Sequence, residues 1–183
     1  ETVLRQALRE RVRPILFINK VDRLIKELKL TPEEMQQRFV KQIADVNKII
    51  RGIAPEEYKE AWQVSIEKGT VAFGSAFHNW GISLPYMQKK GVSFKDIIDS
   101  YTGTDEEIKE QVKALAKKAP IHEVVLDIVT EHHPDPVEAQ KYRIPKLWHG
   151  DLESTDGKSL ISCDPKGRLF FIITKVVVDP QAG

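Results

Sequence analysis

Pro14-Ile15-Leu16-Phe17-Ile18-Asn19-Lys20-Val21-Asp22 is the stretch of sequence that decides the fold. Its first five residues form a short apolar run, which is typical of a buried strand in a parallel sheet. Its last four residues follow without a gap and are mostly polar, so they lie where the strand ends. Open α/β sheets bind their ligands at the carboxyl ends of strands. The stretch therefore predicts an α/β fold with a candidate site directly after this strand.

Asn19-Lys20-Val21-Asp22 has the N-K-x-D pattern with which P-loop GTPases recognise guanine. This resemblance implies that the Asp22 carboxylate accepts from the guanine N1–H and exocyclic amine, two donors that adenine lacks on that edge. Asn19 would bind the base edge and brace the loop, and the aliphatic stem of Lys20 would lie along the base face. A solvated turn is the plainer alternative. Because the pattern directly follows an apolar strand, we favour the guanine site.

Gly74-Ser75-Ala76-Phe77 is the candidate second half of this site, and it follows the apolar run Val71-Ala72-Phe73. GTPases close over guanine with a small-residue loop, in which the alanine N–H points at the guanine O6 and small side chains let the backbone approach the base. By itself the pattern predicts only a turn. After N-K-x-D and its own strand, it predicts two loops at the ends of neighbouring strands. The predicted guanine-binding residues are Asn19, Lys20, Val21, Asp22, Ser75, Ala76 and Phe77.

The phosphate-reading half of such a site is missing from these 183 residues. No G-x-x-x-x-G-K-[ST] occurs, and no D-x-x-G precedes Asn19. The nearest lookalike, Asp156-Gly157-Lys158-Ser159, lacks the first glycine and predicts an Asp-Gly turn. The sequence begins at Glu1 without a methionine, on a helical pattern, and it ends directly after an apolar run. We therefore expect a piece of a longer protein, with no catalytic residue in this chain.

Composition favours a soluble, cytoplasmic protein. The 28 basic and 27 acidic residues leave a net charge of +1, so no overall charge draws the chain to nucleic acid, and we expect no direct nucleic-acid binding. Cys163 is the one cysteine, which excludes an internal disulfide and suits a reducing compartment. No membrane span or signal peptide is visible. His132-His133 has no further ligand at metal-binding spacing, so we predict no metal site.

Helical spacing and capping signals place most of the remaining elements. Thr31, Pro32 and Glu34 form a capping box that starts a helix ending at Gly52. A hairpin is predicted from residues 63–66 and 70–73 around Gly69, and the helical period resumes beyond Trp80. The other predicted elements are an N-terminal helix on Val3 to Val12, helices starting at Ser93 and Thr104, a helix over 121–130, an irregular linker over 135–157, and strands at 160–162 and 169–178.

The order of these features resembles the translation elongation factor 2 family. Its most specific parts here are the stretch Pro136 to Arg143, read P-V-E-A-Q-K-Y-R, and Ser162-Cys163-Asp164-Pro165-Lys166. The short stretch between Trp80 and Ile121 resembles archaeal members. The resemblance implies a partial P-loop GTPase sheet with an inserted helical subdomain, followed by the first strands of a β-barrel. It places the second half of a GTPase domain at residues 1–143, and a linker with the start of the second domain at 144–183.

The family hydrolyses GTP and couples hydrolysis to the movement of tRNA and mRNA through the ribosome. The resemblance implies GTP or GDP with Mg²⁺ as ligands of the parent protein, with no tightly bound cofactor in this chain. It implies the ribosome as partner, including the C-terminal tails of its acidic stalk. The residues that hold magnesium and the phosphates have no counterpart in this sequence, so the chain alone is expected to be inactive as a GTPase.

Two other functions stay open at the level of sequence. The chain could be a non-catalytic module that docks the ribosomal stalk in a groove formed by Ile108, Val112 and Leu115. Core packing is the default interpretation of such a stripe. The chain could also belong to a translational GTPase of another type, whose N-terminal part would precede Glu1.

Overall fold

The computed structural model describes residues 1–171 together with residues 173 and 176. The chain divides into two compact units, Glu1–His133 and Pro134–Gly183. The first unit contains the sheet and the predicted guanine loops, and the described part of the second contains two helices. The boundary predicted from the family, after residue 143, concerns the parent protein and stays a prediction.

A mixed sheet of three strands, β1 (Leu16–Ile18), β2 (Val71–Ser75) and β3 (Trp80–Ser83), forms the centre of the first unit. β1 pairs with β2 in parallel, with Ile18 opposite Phe73, and β2 pairs with β3 in antiparallel. Every residue of β2 and β3 is buried, because β2 has a partner on each edge and helices pack on the sheet. The predicted α/β class and the predicted parallel strand after Pro14 are confirmed.

Seven helices of the first unit surround this sheet. α1 packs against α3, α2 and α7 pack on β2, and α4, α6 and α7 pack on β3. Phe39 of α3 lies against Phe73 of β2, with ring centroids 4.7 Å apart. The helices are α1 (Thr2–Arg9), α2 (Val21–Lys26), α3 (Pro32–Ile53), α4 (Leu84–Lys90), α5 (Phe94–Asp99), α6 (Asp105–Lys118) and α7 (Ile121–His132), with a 3₁₀ turn at Glu56–Tyr58.

Capping boxes begin the helices where the sequence predicted them. At α3 the Glu34 N–H donates to Thr31 Oγ1 at 3.2 Å, and the Thr31 N–H donates to Glu34 Oε2 at 2.8 Å. The same reciprocal pair joins Thr104 and Glu107 at α6. These bonds satisfy amide groups that have no partner within the helix, so a local sequence signal is enough to locate the helix start.

The predicted hairpin around Gly69 is wrong. Residues 63–66 do not form a strand, because Ser65 and Thr70 instead close a tight turn, with the Thr70 N–H donating to Ser65 O at 3.1 Å. The hairpin partner of β2 is β3, which follows it directly and lies where the sequence predicts the start of a helical region. Gly74 permits this close pairing, since a Cβ there would lie 2.4 Å from Trp80 O and 2.8 Å from Phe17 Cζ.

The second unit contradicts the predicted linker and strand. α8 (Pro136–Leu147) and α9 (Thr155–Ser162) pack on each other where an irregular segment and a strand at 160–162 were expected. Asp135 caps α8 by accepting from the Glu138 N–H at 2.8 Å, and Ser154 caps α9 by accepting from the Gly157 N–H at 3.0 Å. Pro136, Pro145 and Gly157 therefore lie within the helices, and Gly150 lies in the short connection between them.

The predicted Asp-Gly turn at residues 156–157 is also wrong, since both residues belong to the first turn of α9. Gly157 is buried, and a Cβ on it would lie 2.5 Å from Asp151 O, so glycine is needed for close packing and not for a turn. Of the strand predicted over 169–178, with the barrel it would open, residues 169–171, 173 and 176 are described and are not in a strand, and the other five lie outside the described residues. Among the described helices, none has the length and apolar character needed to cross a membrane.

Candidate functional site

The two predicted guanine loops meet at one end of the parallel strand pair. β1 ends at Ile18 and its parallel neighbour β2 ends at Ser75, so Asn19 and Ala76 come next to each other. The Ala76 N–H donates to Asn19 Oδ1 at 2.9 Å across 57 residues of sequence, and the Lys20 N–H donates to the same oxygen at 2.8 Å. The predicted position of the loops, at the ends of neighbouring strands, is confirmed, and Asn19 is the residue that joins them.

Asp22 presents a buried carboxylate with an unused acceptor. It lies in the first turn of α2, is 9% exposed, and its Oδ1 has no hydrogen-bond partner. Its Oδ2 is 3.9 Å from Nδ1 of His78, which is beyond hydrogen-bonding distance. Leaving a buried acceptor unpaired costs about 1–3 kcal/mol, and more when the group is charged. A ligand with two adjacent N–H donors would remove that cost.

Lys20 reaches the site through a strained backbone. Its φ of 66° lies in the left-handed region, which a residue with a Cβ adopts only at a cost in free energy. The side chain is exposed on the wall of the cavity, as stacking of its stem on a base requires. Val21, the variable position of the pattern, is fully buried, so its side chain belongs to the core.

A cavity of about 570 Å³ opens between the two loops. Five of the seven predicted residues line it, and Ala76 contributes through its bond to Asn19. Four lining residues were not predicted from the sequence, although three follow Asp22 at positions that α2 turns toward the cavity. The cavity is lined by Asn19, Lys20, Asp22, Arg23, Lys26, Glu27, Ser75, Phe77 and His78.

The second loop combines one buried and one exposed side chain. Ser75 is fully buried at the end of β2, and its Oγ accepts from the His78 N–H at 3.1 Å, which closes the turn into β3. Phe77 is 87% exposed, and its ring meets the ring of His78 edge to face at 5.0 Å. An aromatic ring that is so exposed beside a cavity is available to a planar ligand.

His78 belongs to a hydrogen-bonded cluster that sequence reasoning missed. Its Nδ1 lies 2.9 Å from the hydroxyl of Tyr101, and that hydroxyl accepts from Trp80 Nε1 at 2.8 Å. Burial raises the pKa of Tyr101, and the negative charge of Asp22 adds to this effect. The phenol therefore stays neutral in this cluster. In the sequence, the only indication that His78 belongs to this site was its position directly after Ser75-Ala76-Phe77.

The predicted partner stripe lies mostly inside the fold. Val112 and Leu115 are each 5% exposed, and Ile108 is half-buried on the same face of α6. Leu115 also reaches a shallow cavity of about 260 Å³ beside Val92 and Lys118. The burial of Val112 and Leu115 favours core packing, the alternative that the sequence left open.

Comparison with known proteins places this geometry in a family. Residues 1–135 match the family described as Elongation factor Tu GTP binding domain. This range includes both loops and all the residues that line the cavity.

The chain belongs to the elongation factor Tu GTP-binding domain family.

Archaeal proteins named Elongation factor 2 match all 183 residues. That of Thermococcus kodakarensis is 61% identical and that of Methanocaldococcus jannaschii is 62% identical. The predicted resemblance to archaeal elongation factor 2 is therefore confirmed. This chain spans 24% of the length of each of these relatives.

Proposed function

We propose that this member of the GTP-binding domain family supplies the guanine-reading part of a translational GTPase. The buried, unpaired Oδ1 of Asp22 at the wall of the cavity is the observation that carries the proposal. Guanine presents its N1–H and its exocyclic amine side by side, so one carboxylate accepts from both. Adenine offers an unprotonated N1 on that edge, which repels the carboxylate and leaves it unpaired.

Each of the other residues has a distinct part in base binding. The stem of Lys20 covers one face of the base, and Ser75 and the exposed Phe77 also line the cavity. Asn19 fixes the distance between the two loops through its bonds to Lys20 and Ala76. Because the Ala76 N–H already donates to Asn19, a contact of this N–H with the guanine O6 requires that the hydrogen bond be shared with Asn19.

In the intact factor, we propose, GTP hydrolysis drives the movement of tRNA and mRNA on a cytoplasmic ribosome.

The phosphates supply most of the affinity for a nucleotide, and this chain contains no phosphate loop. Among the described residues, no group of three His, Cys, Asp or Glu side chains can hold a metal, so we assign no magnesium ligand here. A base pocket alone binds in about the millimolar range, or roughly 4 kcal/mol.

Ribosomal partners, including the acidic stalk tails, belong to the same proposal. The buried side chains of Val112 and Leu115 are not available for docking without a rearrangement of α6. A purely non-catalytic stalk-binding module therefore has less support than guanine reading, for which a cavity and an unpaired acceptor are both present.

Replacing Asp22 by asparagine tests the base-reading role. The amide mismatches the donors of guanine and suits xanthine better, so we expect affinity for guanosine monophosphate to fall about tenfold and affinity for xanthosine monophosphate to rise. Chemical-shift titration of the isotope-labelled chain measures both affinities. Titration with adenosine monophosphate measures the preference for guanine over adenine.

Asp127→Asn is the matched control, because it removes a carboxylate that pairs with Lys89 at 3.4 Å and does not line the cavity. It should bind guanosine monophosphate like the wild type. If Asp22→Asn bound all three nucleotides as the wild type does, Asp22 would not read the base.

A further inference from the structure

Tyr101 connects the helical part of the first unit to the guanine cavity. It follows α5, is 7% exposed, and its hydroxyl oxygen accepts from the indole of the fully buried Trp80. The hydroxyl is therefore fixed by the core at one side. On its other side it bonds to Nδ1 of His78, which lines the cavity.

His78 is held close to Asp22 but not in contact with it. The distance from His78 Nδ1 to Asp22 Oδ2 is 3.9 Å, while the distance to the Tyr101 oxygen is 2.9 Å. A shift of the ring by roughly 1 Å would turn the longer distance into a hydrogen bond. The backbone of His78 is anchored to Ser75 Oγ, so the ring is the part that can move.

We propose that Tyr101 is a positioning residue that keeps His78 from pairing with Asp22, and thereby keeps the carboxylate free for guanine. The proposal rests on the guanine-reading role of Asp22. A histidine–aspartate ion pair would occupy the acceptor that the base needs. With its Nδ1 satisfied by the Tyr101 hydroxyl, the imidazole has no unpaired atom facing the carboxylate.

Removal of the hydroxyl changes the balance of charges around His78. Nδ1 then loses its partner, and the nearest polar group is Asp22, whose negative charge favours the imidazolium. Three cationic side chains on the cavity wall oppose protonation of His78, namely Lys20, Arg23 and Lys26. The carboxylate of Glu27 on the same wall favours it. All four are exposed, so solvent screens them more than it screens the half-buried pair.

Tyr101→Phe is the decisive variant. In the absence of nucleotide, the pKa of His78 in the variant should rise by about one unit, measured by titration of the imidazole resonances and assigned with His78→Asn. Each unit corresponds to about a tenfold change in equilibrium constant. Affinity for guanosine monophosphate should therefore fall up to about tenfold near pH 6 and recover near pH 8.

Tyr86→Phe is the matched control. Tyr86 is also buried, and its hydroxyl donates to Glu123 at 2.8 Å, but it does not line the cavity. We expect neither the pKa of His78 nor the nucleotide affinity to change in this variant. The double variant Tyr101→Phe with Asp22→Asn should lose the rise in the pKa of His78.

Two results would overturn the proposal. One is an unchanged pKa of His78 in Tyr101→Phe, or a loss of affinity that is the same at both pH values. The other needs no Tyr101 variant and so applies even if Tyr101→Phe does not fold: near pH 8 the ¹⁵N shifts of wild-type His78 should show an unprotonated Nδ1 that accepts from the Tyr101 hydroxyl, and a protonated Nδ1 would mean that His78 already donates toward Asp22. If the wild type did not prefer guanine over adenine, the guanine-reading proposal would fail, while the nucleotide-free titrations would still decide whether Tyr101 separates His78 from Asp22.

Discussion

Lys20 has a left-handed backbone conformation at the start of α2. For a residue with a Cβ, this conformation costs about 1–2 kcal/mol, whereas glycine adopts it freely. Strain that persists in a folded protein often marks a site where side-chain chemistry is needed. A lysine is present here, and it lines the cavity between the two loops. We infer that the stem of Lys20 is kept for ligand binding at the expense of stability.

Lys20→Gly separates these two effects. Relief of strain and the greater freedom of glycine in the unfolded chain offset each other, so the free energy of unfolding should change by less than about 1 kcal/mol. Affinity for guanosine monophosphate should fall because one face of the base loses its cover. Chemical denaturation and nucleotide titration measure the two quantities.

Lys29→Gly provides the control for Lys20→Gly. Lys29 is also exposed and left-handed, with a φ of 48°, but it does not line the cavity. Its replacement should affect stability similarly and leave nucleotide affinity unchanged. Equal losses of affinity in the two variants would show that the stem of Lys20 does not contact the base.

At the scale of elements, polar groups join α4 to α7 beside the sheet. The Tyr86 hydroxyl donates to Glu123 Oε2 at 2.8 Å, and Lys90 and Lys89 pair with Glu123 and Asp127 at 3.5 and 3.4 Å. Burial, followed by the bond to Glu123, raises the pKa of Tyr86 to about 12. The same bond holds the pKa of Glu123 below its usual value.

The raised pKa of Tyr86 predicts loss of stability at alkaline pH. A group whose pKa is raised by folding stabilises the protein below its unfolded pKa, about 10 for tyrosine, and loses that contribution as the pH rises toward 12. We expect the wild type to lose about 1–2 kcal/mol more than Tyr86→Phe over this range. Urea unfolding at a series of pH values gives the difference, and deprotonation of lysines and of Tyr101 affects both proteins alike. Parallel curves for the two proteins would show that Tyr86 does not titrate in this way.

At the scale of the whole molecule, the described residues provide a cavity with an unpaired acceptor, and we assign none of them to phosphate or magnesium. Catalysis of phosphoryl transfer depends on positioning the phosphates and stabilising their charge. We therefore predict no GTP hydrolysis by these 183 residues, with or without ribosomes. Phosphate-release assays check this against a buffer blank. Steady release that Asp22→Ala abolishes would refute the prediction, whereas release that survives Asp22→Ala would indicate a contaminating enzyme.

The amino-acid sequence alone determined the local features of this protein. The capping boxes at Thr31 and Thr104 involve residues three positions apart, so they can be recognised without any tertiary structure. The apolar run before Asn19 likewise indicated a strand with its site at the end, and the motif spacing indicated the family. The capping boxes and the strand signal are each contained within a few consecutive residues, and the family signal depends only on the order of such short motifs along the chain.

Only the tertiary structure decided how distant segments pair. β2 took β1 and β3 as partners rather than residues 63–66, and helices formed at α8 and α9 where prolines and glycines indicated a linker. The bond from Ala76 to Asn19 and the cluster of His78 with Tyr101 join residues far apart in sequence. Burial decides which polar atoms keep a partner, and burial depends on all the packed elements together. For that reason the unpaired Oδ1 of Asp22 became visible only in the folded chain.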